Sequence, residues 1–291
     1  MKINLKLLEN ICDLSTRKLM NTLSETYDWD TQGLYFWKDC GSKVLAVAHL
    51  DTVGGHVPFN QLQTSKDVIA MSMNLDDRLG VYTILDLLPQ FGINVDILFT
   101  DNEECCDSTA QFFVETHPKE YNWIIEFDRA GEDIVLYSYG RTPKLSEDLQ
   151  IAGFKIGKGS YSDICELYPL KTGAFNMGIG YHFQHTEQCI AIFSELSRQL
   201  VKLKMFYHMN YDKKYVFPYN EGEERFSYLK YRTWAFPQGW DYFSDETEEE
   251  TLQRLYGGKR KMDFETLRLV EDKKNIKSKK KILKNKKKEA M

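Results

Sequence analysis

The hydrophobic positions of this chain fall into short runs that end in polar side chains. Four runs rich in β-branched and aromatic residues predict strands at 44–48, 95–100, 123–128 and 173–178. Apolar runs of this length are typical of strands buried on both faces of an open α/β sheet. The carboxyl ends of such strands are where ligands bind in this class of fold.

Helical spacing of apolar residues separates these runs. It predicts a packing helix over 5–23, broken near Ser15, and a second helix that follows Asn74. Further helices are expected from about Asp107 and over 187–206. Strands that alternate with helices indicate the α/β class.

A hairpin is expected ahead of the first histidine of interest. Residues 34–37 predict a strand, 39–42 a turn and 43–48 the partner strand. This hairpin would end at His49.

Composition narrows the class of protein. The chain has 291 residues, 42% hydrophobic and 13% aromatic, which is typical of a globular protein. No apolar run approaches the ~18 residues of a membrane span, and no apolar signal core follows the N-terminus. Six cysteines without a C-x-x-C pair predict free thiols. We therefore expect a cytoplasmic protein with no membrane partner.

The net charge of −5 conceals an asymmetry. Residues 273–291 hold ten lysines and one acid, which leaves 28 basic and 42 acidic residues in the rest of the chain, a net charge of −14 there. An acidic body argues against nucleic-acid binding by the folded part. Only the lysine-rich tail suits an anionic partner, and charge runs of this kind are typical of solvated, disordered segments.

Metal-competent side chains follow each of the four predicted strands. Each has an ordinary explanation by itself, such as a hydrogen bond to a neighbour or a helix cap. Four strand ends at one edge of a sheet nevertheless favour a single cluster. The residues are His49 with Asp51, Glu103 with Glu104, Asp128, and His185 or His182.

The chemistry of this set points to divalent metal ions. Carboxylates and imidazoles without thiolates suit zinc, with manganese or cobalt as alternatives, and a bridging carboxylate permits two ions. Residues two apart in an extended chain share a face, so we expect the Asp51 carboxylate to reach the His49 imidazole. A glutamate that binds no metal can serve as general base and then as general acid.

In chain order, five segments resemble the metal-site motifs of the two-zinc aminopeptidases and their carboxypeptidase, tripeptidase and deacylase relatives, which have a phosphorylase-hydrolase-like α/β fold. The resemblance covers roughly residues 1–205 and implies a three-layer sandwich with a mixed central sheet and a metal site at strand carboxyl ends. The spacing between motifs leaves no room for an inserted lid domain. The segments are 49–51, 76–80, 103–104, 127–129 and 180–186.

The resemblance also implies a role for each residue. Asp76 would bridge two ions, with His49 and Asp128 completing one site. Glu104 and His185 would complete the other site. By the same resemblance, Glu103 is the expected general base and Asp51 the partner that orients the first histidine.

Three points of this assignment stay open. Asp77 is the alternative to Asp76, and His182 is the alternative to His185, because the acid that usually follows the last histidine is displaced here. Residues 159–163 resemble a substrate-side loop, but a serine and aspartate helix cap explains them equally well.

We therefore expect a cytoplasmic aminopeptidase acting on small peptides, with a catalytic domain over 1–210, an aromatic-rich extension over 211–270 that packs on it, and a lysine-rich disordered tail over 271–291. One alternative is a carboxypeptidase or a deacylase of acyl-amino acids with the same site. Another is a binding protein that kept the scaffold without the reaction. A homo-oligomer is compatible with all three.

Overall fold

The computed structural model describes residues 1–26, 29, 34–53, 59–63, 67–116 and 119–220. The chain divides into a unit Met1–Trp234 and a unit Ala235–Met291, and the second lies outside the described residues. The predictions for the lysine-rich tail and for most of the aromatic-rich extension therefore lie outside them as well. Across the described ranges, no helix combines the length and apolar composition that crossing a bilayer requires.

Helices and strands alternate along the chain as the pattern predicts. The helices are α1 Leu5–Asp13, α2 Thr16–Thr26, α3 Leu75–Tyr82, α4 Leu88–Gln90, α5 Ala110–Thr116, α6 Pro143–Ile151 and α7 Phe193–Asn210. The strands are β1 Phe36–Lys38, β2 Val44–His49, β3 Asn60–Gln63, β4 Val68–Met71, β5 Asp96–Thr100, β6 Trp123–Arg129, β7 Asp133–Val135, β8 Lys155–Ile156, β9 Ala174–Gly178, β10 Tyr181–His182 and β11 Ile190–Ile192.

A mixed sheet of seven strands forms the centre of the molecule, in the order β1-β5-β2-β6-β9-β7-β8. The four central strands run parallel to one another, while β1 and β7 are antiparallel to their neighbours β5 and β9. This mixed α/β architecture confirms the expected fold class. Because β2, β5, β6 and β9 are parallel, their carboxyl ends meet at one edge.

Two apolar layers cover the two faces of this sheet. On β2, Val44, Ala46 and Ala48 enter one layer, whereas Leu45 and Val47 enter the other. This alternation follows from the two-residue period of a strand, and it explains why the run is apolar throughout. Side chains of α1, α2, α3, α6 and α7 belong to the first layer, and those of α5 belong to the second.

A second, smaller sheet has the order β10-β11-β4-β3 and is antiparallel throughout. The sequence pattern does not predict this sheet. In β3, for example, all four residues are exposed, so the strand shows no alternation of buried and exposed positions. Its strand β4 leads into Asp76, and its β10–β11 hairpin carries His185. The small sheet thus positions two of the candidate ligands.

The structure corrects two expectations about elements. The predicted hairpin between 34–37 and 43–48 is wrong, because β1 pairs with β5, which lies between β1 and β2 in the sheet. The predicted helix over 187–206 begins only at Phe193, since residues 190–192 form β11. The predicted break near Ser15 is confirmed by the separate helices α1 and α2.

The first residues after α7 pack on the domain. Val216 pairs with Thr172 in an isolated β-bridge, and the neighbours Tyr215 and Phe217 are buried. The Tyr215 hydroxyl donates a hydrogen bond of 2.6 Å to Asp148 on α6. Residues 211–220 therefore belong structurally to the unit that carries the site.

Candidate active site

The seven candidate residues gather at the carboxyl edge of the central sheet. His49 is the last residue of β2, and Asp128 is the last but one of β6. Glu103 and Glu104 begin a short 3₁₀ turn after β5. Asp76 lies near the start of α3, and His185 lies in the loop after β10.

His49 is fully buried among carboxylates. Its Nδ1 lies 3.0 Å from the main-chain oxygen of Asp51. A carbonyl accepts only from an N–H group, so Nδ1 carries a proton, and Nε2 is the ring nitrogen that faces the cluster and could bind a metal ion. That Nε2 lies 3.3 Å from Asp76 Oδ1, 3.5 Å from Asp128 Oδ1 and 3.9 Å from Glu103 Oε2.

Asp76 lies between the two histidines. Its Oδ1 faces His49, and its Oδ2 lies 3.0 Å from Nε2 of His185. Burial alone would raise the pKa of Asp76, but the neighbouring imidazoles of His185 and His49 lower it below the usual aspartate value. This carboxylate is therefore ionised and able to offer one oxygen to each side.

Asp77 has a different environment from its neighbour. Its Oδ2 accepts a hydrogen bond from the His49 amide at 3.2 Å, and its Oδ1 accepts one from the Gly80 amide at 3.0 Å. A Cβ atom at position 80 would lie 2.2 Å from that carboxylate and 2.5 Å from the Phe127 carbonyl. Only glycine permits this close packing of α3 against the ends of β2 and β6.

Glu104 and His185 form the other side of the cluster. Glu104 Oε2 lies 3.0 Å from His185 Nε2. His185 has a positive φ of 60° and a half-exposed side chain. Asp76 and Glu104 raise its pKa to about 10. We call His49 with Asp128 the strand half of the cluster, and Glu104 with His185 the loop half.

His182 does not join the cluster. Its Nε2 lies 2.7 Å from Oε2 of Glu195, near the start of α7. This contact connects β10 to α7, and His185 extends from the loop that follows. The geometry therefore favours His185 over His182 as the residue beside Asp76.

Asp51 holds two groups at once. Its Oδ1 lies 3.3 Å from His49 Nδ1, as its spacing from that histidine predicts. The same carboxylate accepts hydrogen bonds from the main-chain amides of Glu103, at 3.3 Å, and of Glu104, at 3.1 Å. Asp51 thus fixes the turn that carries both glutamates, a contact that no local pattern in the sequence indicates.

Glu103 differs from the other acids because its nearest histidine nitrogen is 3.9 Å away. Burial, followed by the negative charge of Asp128, raises its pKa well above the usual glutamate value. For Asp128, burial and the negative charge of Asp76 raise the pKa to about 7. Burial and mutual repulsion therefore disfavour the charged forms of both carboxyl groups in the absence of a cation.

The donor set fits divalent metal ions. In the described ranges, one candidate triad is His49, Asp76 and Glu104, and another is His49, Asp77 and Asp128. In each triad, the potential ligand atoms lie within 4.8 Å of one another. His49 Nε2 and Glu104 Oε1 are buried without a hydrogen-bond partner. Buried polar atoms are rarely left unsatisfied, so a cation is the natural partner for both.

Behind the cluster lies a buried polar network that sequence reasoning missed. Glu126 accepts hydrogen bonds from the Ser162 hydroxyl and from the Asp163 amide. Asp163 in turn accepts one from Thr100. Ser162 makes no side-chain cap of the following turn, so the helix-cap explanation of 159–163 is wrong. A role of this loop toward a substrate stays a prediction.

Comparisons with known proteins identify the fold. No protein-family model and no curated protein matches the chain. A tripeptidase from Staphylococcus aureus is similar in structure at 9% identity, covering 70% of this chain and 97% of its own, with a TM-score of 0.53. A TET aminopeptidase from a Thaumarchaeota archaeon is 10% identical. The match covers 72% of this chain and 97% of that protein, with a TM-score of 0.53. PhTET1, described as a dodecamer, is 12% identical. The match covers 71% of this chain and 99% of that protein, with a TM-score of 0.51. The chain therefore shares its fold with proteins described as a tripeptidase and an aminopeptidase.

Proposed function

We propose that this protein is a two-metal aminopeptidase that acts on small peptides. One ion would be held by His49, Asp76 and Asp128, and the other by Asp76, Glu104 and His185. One observation carries the proposal: two histidine nitrogens face opposite oxygens of Asp76, and each has a second carboxylate beside it. Bound divalent ions would polarise the scissile carbonyl and lower the pKa of a bound water, with zinc as the first expectation.

Glu103 is the proton carrier in this proposal. Its carboxylate lies beside the cluster without direct contact to a histidine, so it is free to accept a proton from the attacking water. It would then donate that proton to the amine of the leaving group. Burial and the neighbouring negative charge of Asp128 raise its pKa above the usual glutamate value, which favours the uptake of a proton. Asp51 would keep Glu103 in place through its main-chain amide.

The polar groups around the cluster support an aminopeptidase over its relatives. Asp77, Glu126 and Asp163 add three fully buried acids behind the seven candidate residues. Of the neighbouring arginines, Arg78 is buried and donates to the Ile11 carbonyl and the Thr16 hydroxyl. Arg129 is paired with Asp133 through two hydrogen bonds. Carboxyl oxygens therefore surround the cluster, and they can accept hydrogen bonds from the α-amine of a peptide.

Carboxypeptidases and acyl-amino-acid deacylases have a different requirement. Their substrates present an α-carboxylate close to the scissile bond, which calls for a cationic partner. Peptides with free and with acetylated N-termini, assayed side by side, would separate the classes. We expect free amines to be preferred at least tenfold in kcat/KM. A preference for the acetylated series would favour the deacylase.

The substitution Glu103→Gln tests the proposed base. It keeps the size of the side chain but removes its ability to take up a proton, so turnover should fall by about 10²–10⁴-fold. Metal content, measured by elemental analysis, should stay at about two equivalents per chain. Glu115→Gln, an exposed position on α5, is the matched control and should leave both values unchanged. Near-normal activity of the Glu103 variant would overturn the role.

Two further proposals belong to this function. One of the structural neighbours is described as a dodecamer. We propose that this chain also forms a homo-oligomer, which light scattering of the full chain would test.

A non-catalytic binding protein is the alternative from another class of function. It would bind metal without hydrolysing any member of a broad aminoacyl and acyl-amino-acid panel.

A further inference from the structure

The pairing of β6 with β9 is interrupted at Asp128. Glu126 pairs with Asn176, but the next pair is Arg129 with Gly178, so three steps along β6 match two along β9. This irregularity is a β-bulge, which bends a strand and redirects its side chains. At the bulge, the main chain of Asp128 has no regular ladder partner on β9.

The side chain of Asn176 takes the place of that partner. Its Oδ1 accepts a hydrogen bond from the Asp128 amide at 3.0 Å, and its Nδ2 donates one to the Asp128 carbonyl at 2.9 Å. Asn176 is 1% exposed, so this contact is shielded from water. A carboxamide supplies the acceptor and the donor together, whereas the isosteric aspartate lacks the donor.

Tyr181 fixes the other end of the same residue. Its hydroxyl donates a hydrogen bond of 3.0 Å to Asp128 Oδ1, and its side chain is 2% exposed. That oxygen is also the one that faces His49 Nε2. A rotation of the Asp128 carboxylate away from the histidine would therefore break a buried hydrogen bond.

We propose that Asn176 and Tyr181 are positioning residues that set the affinity of the strand half for its divalent ion. This inference rests on the proposed function. Asn176 fixes the main chain of Asp128 and Tyr181 fixes its carboxylate, so the ligand is held in a binding geometry before an ion arrives. Partners of this kind typically contribute ten- to a hundredfold to metal affinity. The loop half has no contact with either residue among the contacts described above.

Metal titration of the full chain tests the proposal. Metal-free protein would be prepared with a chelator and titrated with Zn²⁺ by calorimetry, and with Co²⁺ by visible absorption. Tyr181→Phe, which removes only the hydroxyl, should weaken one of two binding events by about 10–100-fold. The other event should stay within about twofold. Excess metal should restore most of the lost activity, since a positioning defect lowers occupancy.

The Asn176 side chain is tested in the same way. Asn176→Asp removes the donor and should weaken the same binding event as Tyr181→Phe. If that variant does not fold, Asn176→Ser, which leaves room for a water, carries the same expectation. Unchanged affinity in a folded Asn176 variant would overturn its role.

A matched control separates positioning from general packing. Tyr139 is fully buried, and its hydroxyl donates a hydrogen bond of 2.7 Å to the Ile164 carbonyl away from the cluster. Tyr139→Phe should leave both metal affinities unchanged. If the wild type binds two ions and Tyr181→Phe binds both equally well, the positioning role is overturned while the proposed function stands. A wild type that binds neither ion overturns both.

Discussion

The two halves of the cluster are built from different kinds of structure. In the strand half, His49 and Asp128 belong to parallel strands of the central sheet, and both main chains are held by buried side chains, Asp77 and Asn176. In the loop half, Glu104 lies on a 3₁₀ turn and His185 on a loop with a positive φ. His49 is fully buried, whereas the side chain of His185 is 52% exposed.

This contrast indicates that the two halves differ in how far they are preorganised for binding a ligand. The strand half is organised in advance by the sheet, so little conformational entropy remains to be lost when a ligand binds. The loop half relies on the Asp51 contact to the glutamate turn and on the neighbouring pair of His182 with Glu195. We expect the strand half to be the more rigid and the loop half to respond more readily to change.

Removing each histidine in turn should show the largest difference. His49→Ala leaves several buried carboxylates without their cationic partner and should cost about 3–5 kcal/mol of the free energy of unfolding in the metal-free protein. His185→Ala affects a half-exposed ion pair and should cost less than about 1 kcal/mol. Urea denaturation in the presence of a chelator measures both. Equal losses would contradict the division into two halves.

Gly80→Ala should disturb the strand half through packing alone. The added Cβ would lie 2.2 Å from the Asp77 carboxylate and 2.5 Å from the carbonyl that precedes Asp128. We expect a loss of about 1–3 kcal/mol in the free energy of unfolding. Gly140→Ala is the matched control, because its nearest neighbour would be 4.0 Å away. A Gly80 variant as stable as this control would show that the junction of α3, β2 and β6 is less tightly packed than described.

The smallest effect concerns pH and the loop half. The pKa of His185 is raised from 6.5 to about 10 in the folded protein. Its charge therefore stabilises the metal-free protein fully below about pH 6.5, and this contribution is lost as the pH rises through about 10. Half exposure limits it to less than about 1 kcal/mol. The difference in unfolding free energy between wild type and His185→Gln should shrink over that range, and a constant difference would contradict the assignment.

The strand half was also the part most accessible from the sequence. Apolar runs at 44–48 and 123–128 predict buried strands, and parallel strands bring His49 and Asp128 to one edge. The hairpin before His49 was predicted wrongly because pairing between distant segments leaves no local pattern. β5 lies between β1 and β2 in the sheet, and the residues of the expected turn near position 40 do not indicate this arrangement.

The supporting contacts were not predictable for the same reason. Asn176 lies in a run that looks like any buried strand, and its pairing with Asp128 depends on a bulge in another strand. The β10–β11 hairpin was missed because residues 190–192 continue into the apolar pattern of α7. Local patterns indicate which elements form, whereas neighbours in the fold decide which side chains meet.

The small sheet gives the cluster a mechanical significance. Asp76 follows β4, and His185 sits within the β10–β11 hairpin, whereas His49 and Asp128 end strands of the large sheet. Two cations held by the two halves, with Asp76 shared between them, would cross-link the two sheets. Amide protons of the β10–β11 hairpin should then exchange with deuterium more slowly in loaded protein than in metal-free protein, while those of β2 should change little.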